Sequence, residues 1–185
     1  MPVNLKGGNE FLNPPLILNQ HLNLVTGETV ADLGCGSMGF FSIAAAKIVG
    51  PNGRVFAVDV LKEVLSSVAG RVKVEGLDNV ETIWSNLEIY GATKIPEQSL
   101  DAAFLINILF QAKKHYEIIK EAYRLLKPGG RLLVIDWKML DTPFGPVKNI
   151  RVSPNKIKEF ATLLHLIKTS EFEAGNFHYG LIFIK

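Results

Sequence analysis

Gly34-Cys35-Gly36-Ser37-Met38-Gly39 places three glycines in the spacing G-x-G-x-x-G, which permits a tight turn and lets a ligand approach bare backbone. Asp59 closes the next apolar run, where a carboxylate can accept hydrogen bonds from both hydroxyls of a ribose. Loop and acid together suit a nucleoside-bearing ligand, and to this point a dinucleotide and S-adenosylmethionine fit equally. Asp32, two residues before the first glycine, separates them. A dinucleotide would bring its pyrophosphate to this loop, where a carboxylate repels it. S-adenosylmethionine has no phosphate and carries an ammonium and a sulfonium, which a carboxylate attracts. The N–H groups opening the following helix are then left for its methionine carboxylate.

The elements that must hold these residues follow from apolar periodicity. Strands are expected at Thr29–Leu33, Arg54–Asp59, Val80–Trp84, Leu100–Ile106, 131–136, 171–174 and 179–184. Helices are expected at 11–22, opened by Pro14 or Pro15, and at Phe40–Val49, 62–75, 113–126 and 154–166. Gly50-Pro51-Asn52-Gly53 and Lys127-Pro128-Gly129-Gly130 are breaks. Alternating strands and helices imply a parallel sheet covered on both faces, and the last two strands, with no helix between them, imply an antiparallel hairpin at one edge. The expected fold is an α/β, Rossmann-like three-layer sandwich with a mostly parallel seven-stranded sheet and a C-terminal antiparallel hairpin. With no repeat or linker, residues 1–185 read as one domain, 1–28 forming an N-terminal helical lid and 29–185 the core.

Composition excludes several classes. The 185 residues carry a formal net charge of +2, which gives no electrostatic case for nucleic acid. The one cysteine, Cys35, cannot form an internal disulfide or a multi-cysteine metal site, so no metal is expected. No apolar run reaches the roughly 18 residues of a bilayer span, and residues 1–10 lack a signal-peptide pattern. No membrane association and a cytoplasmic location are expected.

Val30-Ala31-Asp32-Leu33-Gly34-Cys35-Gly36 resembles the first motif of class I S-adenosylmethionine-dependent methyltransferases. Val58-Asp59 resembles their second motif, and Leu126-Lys127-Pro128-Gly129-Gly130-Arg131 their turn before the fifth strand. The chain is similar to the small single-domain members, those of the ubiquinone and menaquinone type, or an arsenite-methyltransferase-like domain without its cysteines. The family's sheet also ends in an antiparallel hairpin. The resemblance implies that Asp32 and the backbone of Gly34, Cys35 and Gly36 hold the methionine end. It further implies that Asp59 holds the ribose, that Val60 lies against the adenine, and that Asn86-Leu87 stands where the family often has an acid for the adenine amino group. An Asn86 amide oxygen could accept the same bond. Asn107 ends the fourth strand, facing the methionine moiety. S-adenosylhomocysteine would be the product.

Each residue also has an ordinary reading: Asp32 as a helix cap, Asn86 as a turn residue, Cys35 as packing. His21 reads as a surface residue, and His165 as a structural residue on an apolar helix face. His115 starts the helix near the presumed mouth. In the subfamily that the chain most resembles, a tail like Asn176-Phe177-His178-Tyr179-Gly180 recurs beside Asp136-Trp137-Lys138 and Thr142-Pro143-Phe144-Gly145-Pro146. The catalytic or substrate-site candidates are therefore His115, Asp136, His178 and Tyr179, with Trp137 beside them.

A sulfonium already activates its methyl group, so such an enzyme mainly aligns the acceptor and excludes water, and a general base is optional. Asn107-Ile108-Leu109-Phe110 is not the Asn/Asp-Pro-Pro-aromatic motif of nucleobase amino methylation. Cys35 is misplaced for cytosine C5 chemistry, arsenite methylation needs several cysteines, and clustered acids for a metal-dependent catechol reaction are lacking near Asn107. A small-molecule acceptor is the expectation. The first helix, the 136–150 segment or a second subunit would close the pocket, so a homodimer is one expectation. The competing readings are a catalytically silent S-adenosylmethionine-binding regulator and an NAD(P)-dependent oxidoreductase.

Overall fold

The computed structural model describes residues 11–185. Asn13 caps a short first helix, α1 (Pro14–Leu16), by accepting the Leu16 N–H at 3.1 Å, and a π-helical turn, Ile17–His21, continues it. The core then alternates: β1 (Thr29–Leu33), α2 (Phe40–Val49), β2 (Arg54–Asp59), α3 (Lys62–Val74), β3 (Val80–Trp84), β4 (Leu100–Ile106), α4 (His115–Leu125) and β5 (Leu126–Trp137). It ends with α5 (Pro154–Leu163), β6 (Ile167–Ala174) and β7 (His178–Ile184).

The seven strands order as β3-β2-β1-β4-β5-β7-β6. The first five run parallel, and β7 lies antiparallel between β5 and β6. Both faces of the sheet are buried, as a parallel sheet requires. Leu105, Leu132, Val134 and Leu181 pack against Ile118, Ile119, Ala122 and Ile157 of α4 and α5 on one face. Phe104, Ile106, Leu133 and Ile135 pack against Phe41, Ala44 and Ala45 of α2 and against Ile17 and Leu18 on the other. The chain leaves β1 in one direction across the sheet and β4 in the other, so the β1–β4 junction is the switch point, where the C-terminal strand ends open a crevice.

Several boundaries differ from the sequence reading. The helix expected at 154–166 stops at Leu163, because His165 takes a left-handed φ of +59°. His165 is therefore an exposed turn residue and not part of an apolar helix face. Strand β5 begins at Leu126, five residues before the expected 131, because Leu100 pairs with Leu126 ahead of a register shift. Strand β6 begins at Ile167 and not at 171. Of the segment expected as a lid, residues 1–10 lie outside the described residues. The remainder packs on α2 through Ile17, Leu18, Leu22 and Leu24, and Arg131 fastens it to β5 by donating to the Leu22 and Asn23 carbonyls and pairing with Glu28.

Candidate cofactor cleft and its neighbouring aromatic box

The glycine loop leaves β1 with Gly34 at φ +89° and Gly36 at φ +64°, conformations that disfavour any side chain. A Cβ on Gly34 would also stand 2.4 Å from Ile108 Cγ2, whereas one on Gly36 would point into open space. Gly34 and Cys35 both donate their N–H to the Val58 carbonyl, at 2.8 and 3.0 Å. This seats the loop on the end of β2. Asp59 completes the junction, one carboxylate oxygen accepting the Gly36 N–H at 3.2 Å and the other the Leu61 N–H at 3.0 Å.

Above the switch point lies a cavity of about 430 Å³. The loop contributes Gly34 and Gly36, the end of β2 contributes Asp59, Val60 and Leu61, and the end of β3 contributes Ser85, Asn86, Leu87 and Glu88. The end of β4 contributes Ile106, Asn107 and Ile108. Seven residues expected from the sequence thus line one cavity: Gly34, Gly36, Asp59, Val60, Asn86, Leu87 and Asn107. Trp84 Nε1 donates to the Val60 carbonyl at 2.8 Å and holds that rim in place. The Asn86 side-chain oxygen accepts the Glu88 N–H at 2.9 Å, and an amide oxygen has a second lone pair for a ligand. Asn107 takes a φ of +56°, which asparagine tolerates better than most residues. Its N–H donates to the Ile135 carbonyl at 2.9 Å, and its carbonyl accepts from Gln111 Nε2 at 3.0 Å.

Asp32 and Cys35 do not line the cavity. Asp32 is buried beneath the loop and accepts the Ser42 hydroxyl at 2.6 Å. Burial pushes its carboxyl up to about 7, with the Ser42 bonds opposing and Asp59 adding to the rise. The α2 N-terminus expected to be free for a methionine carboxylate thus already carries the Asp32 carboxyl on its Ser42 hydroxyl. The Cys35 side chain turns into a small core with Ala57, Leu65 and Val68, and burial pushes its thiol up. Sequence reasoning missed Ser42, Ser85, Glu88 and Ile108. Ser42 alone had a local signal, a hydroxyl in the first turn of the helix after the loop.

The weaker candidates separate. His115 sits at the start of α4, its Nε2 3.0 Å from the Ala112 carbonyl. It borders a different depression, with Tyr90, Lys113, Lys114 and Tyr116, that meets the cleft only at Glu88. Asp136 pairs with Tyr179 across β5 and β7, and Trp137 pairs with His178. Tyr179 donates its hydroxyl to the Val152 carbonyl at 2.8 Å, and burial pushes its ionisation up. Asp136 accepts the Trp137 N–H at 2.7 Å, and burial pushes its carboxyl up to about 7. On the face that also carries α2, Trp137 and His178 form the floor of an aromatic box whose other walls are Phe11, Phe144 and Phe177. Burial, with the charges of Arg151 and Lys138 in support, holds the His178 imidazole down to about 4, so it is neutral at pH 7.

Among the described residues no cluster of His, Cys, Asp or Glu could hold a metal ion, and no helix is long and apolar enough to cross a membrane.

The geometry has close parallels among known proteins. An arsenite methyltransferase of Halobacterium salinarum is 33% identical over 113 residues, 61% of this chain and 28% of that protein. A demethylmenaquinone methyltransferase of Listeria welshimeri is 33% identical over 118 residues, 63% of this chain and 48% of that protein. The chain therefore spans about half or less of the length of these curated relatives. The crystal structure of a SAM-dependent methyltransferase from Aquifex aeolicus superposes with a TM-score of 0.86 at 26% identity, covering 96% of this chain and 92% of that one. Residues 24–179 match the family described as a methyltransferase domain, and with so much of the chain matched, from before β1 into β7, the protein belongs to that family.

Proposed function

We propose that this chain is an S-adenosylmethionine-dependent methyltransferase acting on a small-molecule acceptor. The observation that carries the reading is how the loop uses its hydrogen-bond donors. The N–H groups of Gly34, Cys35 and Gly36, which would cradle a pyrophosphate in a dinucleotide site, are committed to Val58 and Asp59. The Ser42 hydroxyl in the first turn of α2 is committed to the Asp32 carboxyl. Asp59 thus faces the place where an anion would have to sit, with Asp32 buried beneath the loop, and like charges disfavour an anion there. A ligand with a ribose diol and a cationic tail meets the opposite situation. The site fits S-adenosylmethionine on these grounds, and the open space above Gly36 leaves room for it.

In this reading Asp59 accepts the ribose hydroxyls while remaining tied to the loop, and Val60, Leu61 and Leu87 offer apolar surface to the adenine. Asn86 receives the adenine amino group. Asp32 acts from below, orienting the loop through Ser42 and placing negative charge beneath the cationic end. Asn107, its backbone pinned to β5 through Ile135, faces the methionine portion. When bound, the cofactor supplies a methyl group already activated by its sulfonium. The chain's task is then to align the acceptor and keep water out.

Isothermal titration calorimetry with S-adenosylhomocysteine and with NAD tests the reading. Binding of S-adenosylhomocysteine at one site, with NAD at least a hundredfold weaker, is expected. The reverse preference would reject it. Accumulation of S-adenosylhomocysteine from S-adenosylmethionine with a panel of acceptors separates an enzyme from a silent binder.

A further inference from the structure

The cofactor cleft ends at Glu88, and beyond that residue lies a second depression of about 560 Å³. Its walls come from three places in the fold. The loop after β3 supplies Glu88, Ile89 and Tyr90, the turn into α4 supplies Lys113, Lys114 and Tyr116, and α5 supplies Phe160. It adjoins the end of the cleft marked by Asn86 and Leu87 and has no wall residue in common with the other end, at Asn107.

Rings and lysines set its chemistry. Tyr116 packs on Phe160 with centroids 5.6 Å apart, whereas Tyr90 is 49% exposed. A large ring left open in a concave wall is surface that a ligand can bury. Lys113 and Lys114 are exposed, and Lys120 lies 4.5 Å over the Tyr90 ring. Among the described residues none of these lysines makes an ion pair, although Lys47, Lys127, Lys156 and Lys168 each pair with a carboxylate. The acids of the wall are Glu88 and Glu117. One Glu88 oxygen accepts the N–H groups of both Lys113 and Lys114, which fixes the backbone that carries the two ammoniums. The balance of charge is opposite to that of the cleft, where Asp59 favours a cationic tail.

We propose that this depression is a second ligand site, and that it takes a small molecule made of a planar ring bearing a phosphate or a comparable anion. The ring lies against Tyr90 and Tyr116, and the anion meets the Lys113 and Lys114 ammoniums. An aromatic cage for a quaternary ammonium would need ring faces free of cations. Here Lys120 already covers Tyr90, and Lys156 lies 4.9 Å over Phe160. A depression of this volume suits one such molecule. The site sits beside the cofactor and takes no part in methyl transfer, so its occupancy does not depend on the methyltransferase reading.

Calorimetry with 1-naphthyl phosphate tests this, with S-adenosylhomocysteine present to fill the cleft and with 1-naphthol and inorganic phosphate as the neutral and ring-free counterparts. Wild type should bind 1-naphthyl phosphate at least tenfold more tightly than either. The double variant Lys113→Gln/Lys114→Gln should weaken it about tenfold through two lost exposed ion pairs, and Tyr90→Ala about tenfold through the lost ring contact. Both should leave S-adenosylhomocysteine within twofold, because none of these residues lines the cleft. Arg71→Gln/Lys73→Gln removes the same charge from α3, outside the depression, and should leave 1-naphthyl phosphate within twofold. A loss there as large as that of the Lys113/Lys114 variant would reduce the effect to general charge and overturn the proposal. So would equal binding of 1-naphthyl phosphate and 1-naphthol, or wild-type affinity in the Lys113/Lys114 variant. An oligothymidylate that binds more than tenfold more tightly than thymidine 5′-monophosphate would also overturn it, assigning the face to a nucleic-acid strand. Binding of 1-naphthyl phosphate without binding of S-adenosylhomocysteine keeps this site and rejects the methyltransferase reading. The converse rejects this site alone.

Discussion

Asp59→Asn is the most informative substitution in the cleft, because it preserves shape and removes charge. In the wild-type chain each carboxylate oxygen already accepts one backbone N–H, from Gly36 and from Leu61, and each retains a lone pair for a ribose hydroxyl. An amide presents one oxygen and one NH2, so one backbone donor loses its acceptor and so does one hydroxyl. A hydrogen bond to a charged group contributes about 1.5–3 kcal/mol. The expected weakening of S-adenosylhomocysteine binding is therefore about 10- to 150-fold. The loop itself loses one bond, on the order of 1 kcal/mol, which lowers the thermal midpoint of a chain this size by about 2–4 °C. Calorimetry supplies the affinity and a thermal melt supplies the stability. An Asp59→Asn variant that binds within threefold of wild type would refute the ribose assignment.

Three further outcomes follow from the same geometry. Gly34→Ala and Gly36→Ala both meet a left-handed φ, at roughly 1–2 kcal/mol each, but only the first also collides with Ile108. Thermal melts should therefore show Gly34→Ala as the less stable, while Gly36→Ala, whose Cβ enters the cleft, should lose cofactor binding with a smaller fall in midpoint. The Asp32 carboxyl, held up at about 7 by burial, must be ionised to attract a cationic ligand. Affinity for S-adenosylmethionine should rise about tenfold from pH 6 to pH 8 by linkage, and Asp32→Asn should flatten that profile in calorimetry. Away from the site, Glu121 is fully buried. Burial alone would raise its carboxyl, but Arg124 and the N–H groups of Gly91 and Thr93 outweigh that and bring it to about 2. Its contribution is complete above the unfolded value of 4.5 and is lost as pH falls toward 2. At pH 7, Glu121→Ala takes from the buried Arg124 its closest carboxylate, leaving it the Thr93 carbonyl and the more distant Glu97, and should cost about 3 kcal/mol, or about 10 °C in midpoint.

The strands were legible because parallel strands buried on both faces leave uninterrupted apolar runs. Thr29–Leu33 and Arg54–Asp59 match the observed bounds for this reason. The hairpin was legible from two strand segments on either side of Gly175-Asn176 with no helix between them. Boundaries set by a single backbone conformation were not. His165 ends α5 by turning left-handed, and β5 reaches back to Leu126 through a register shift that no local pattern announces. At the site, glycine spacing and terminal acids marked the residues at strand ends, where sequence position determines spatial position. Ser42 was missed because its role depends on helix geometry that brings it back onto Asp32. The pairing of Trp137 with His178, and the arrival of Phe11 beside Phe144, depend on strand order and hairpin register, which are properties of the assembled sheet.

A crystal structure of the chain with S-adenosylhomocysteine would locate the cofactor against Asp59 and the glycine loop. Both ribose hydroxyls are expected on the Asp59 carboxylate, the adenine between Val60 and Leu87, and the sulfur on the side of the cleft facing Asn107 and β5. A ligand seated elsewhere, or an Asp59 carboxylate that keeps only its Gly36 and Leu61 bonds, would contradict this placement.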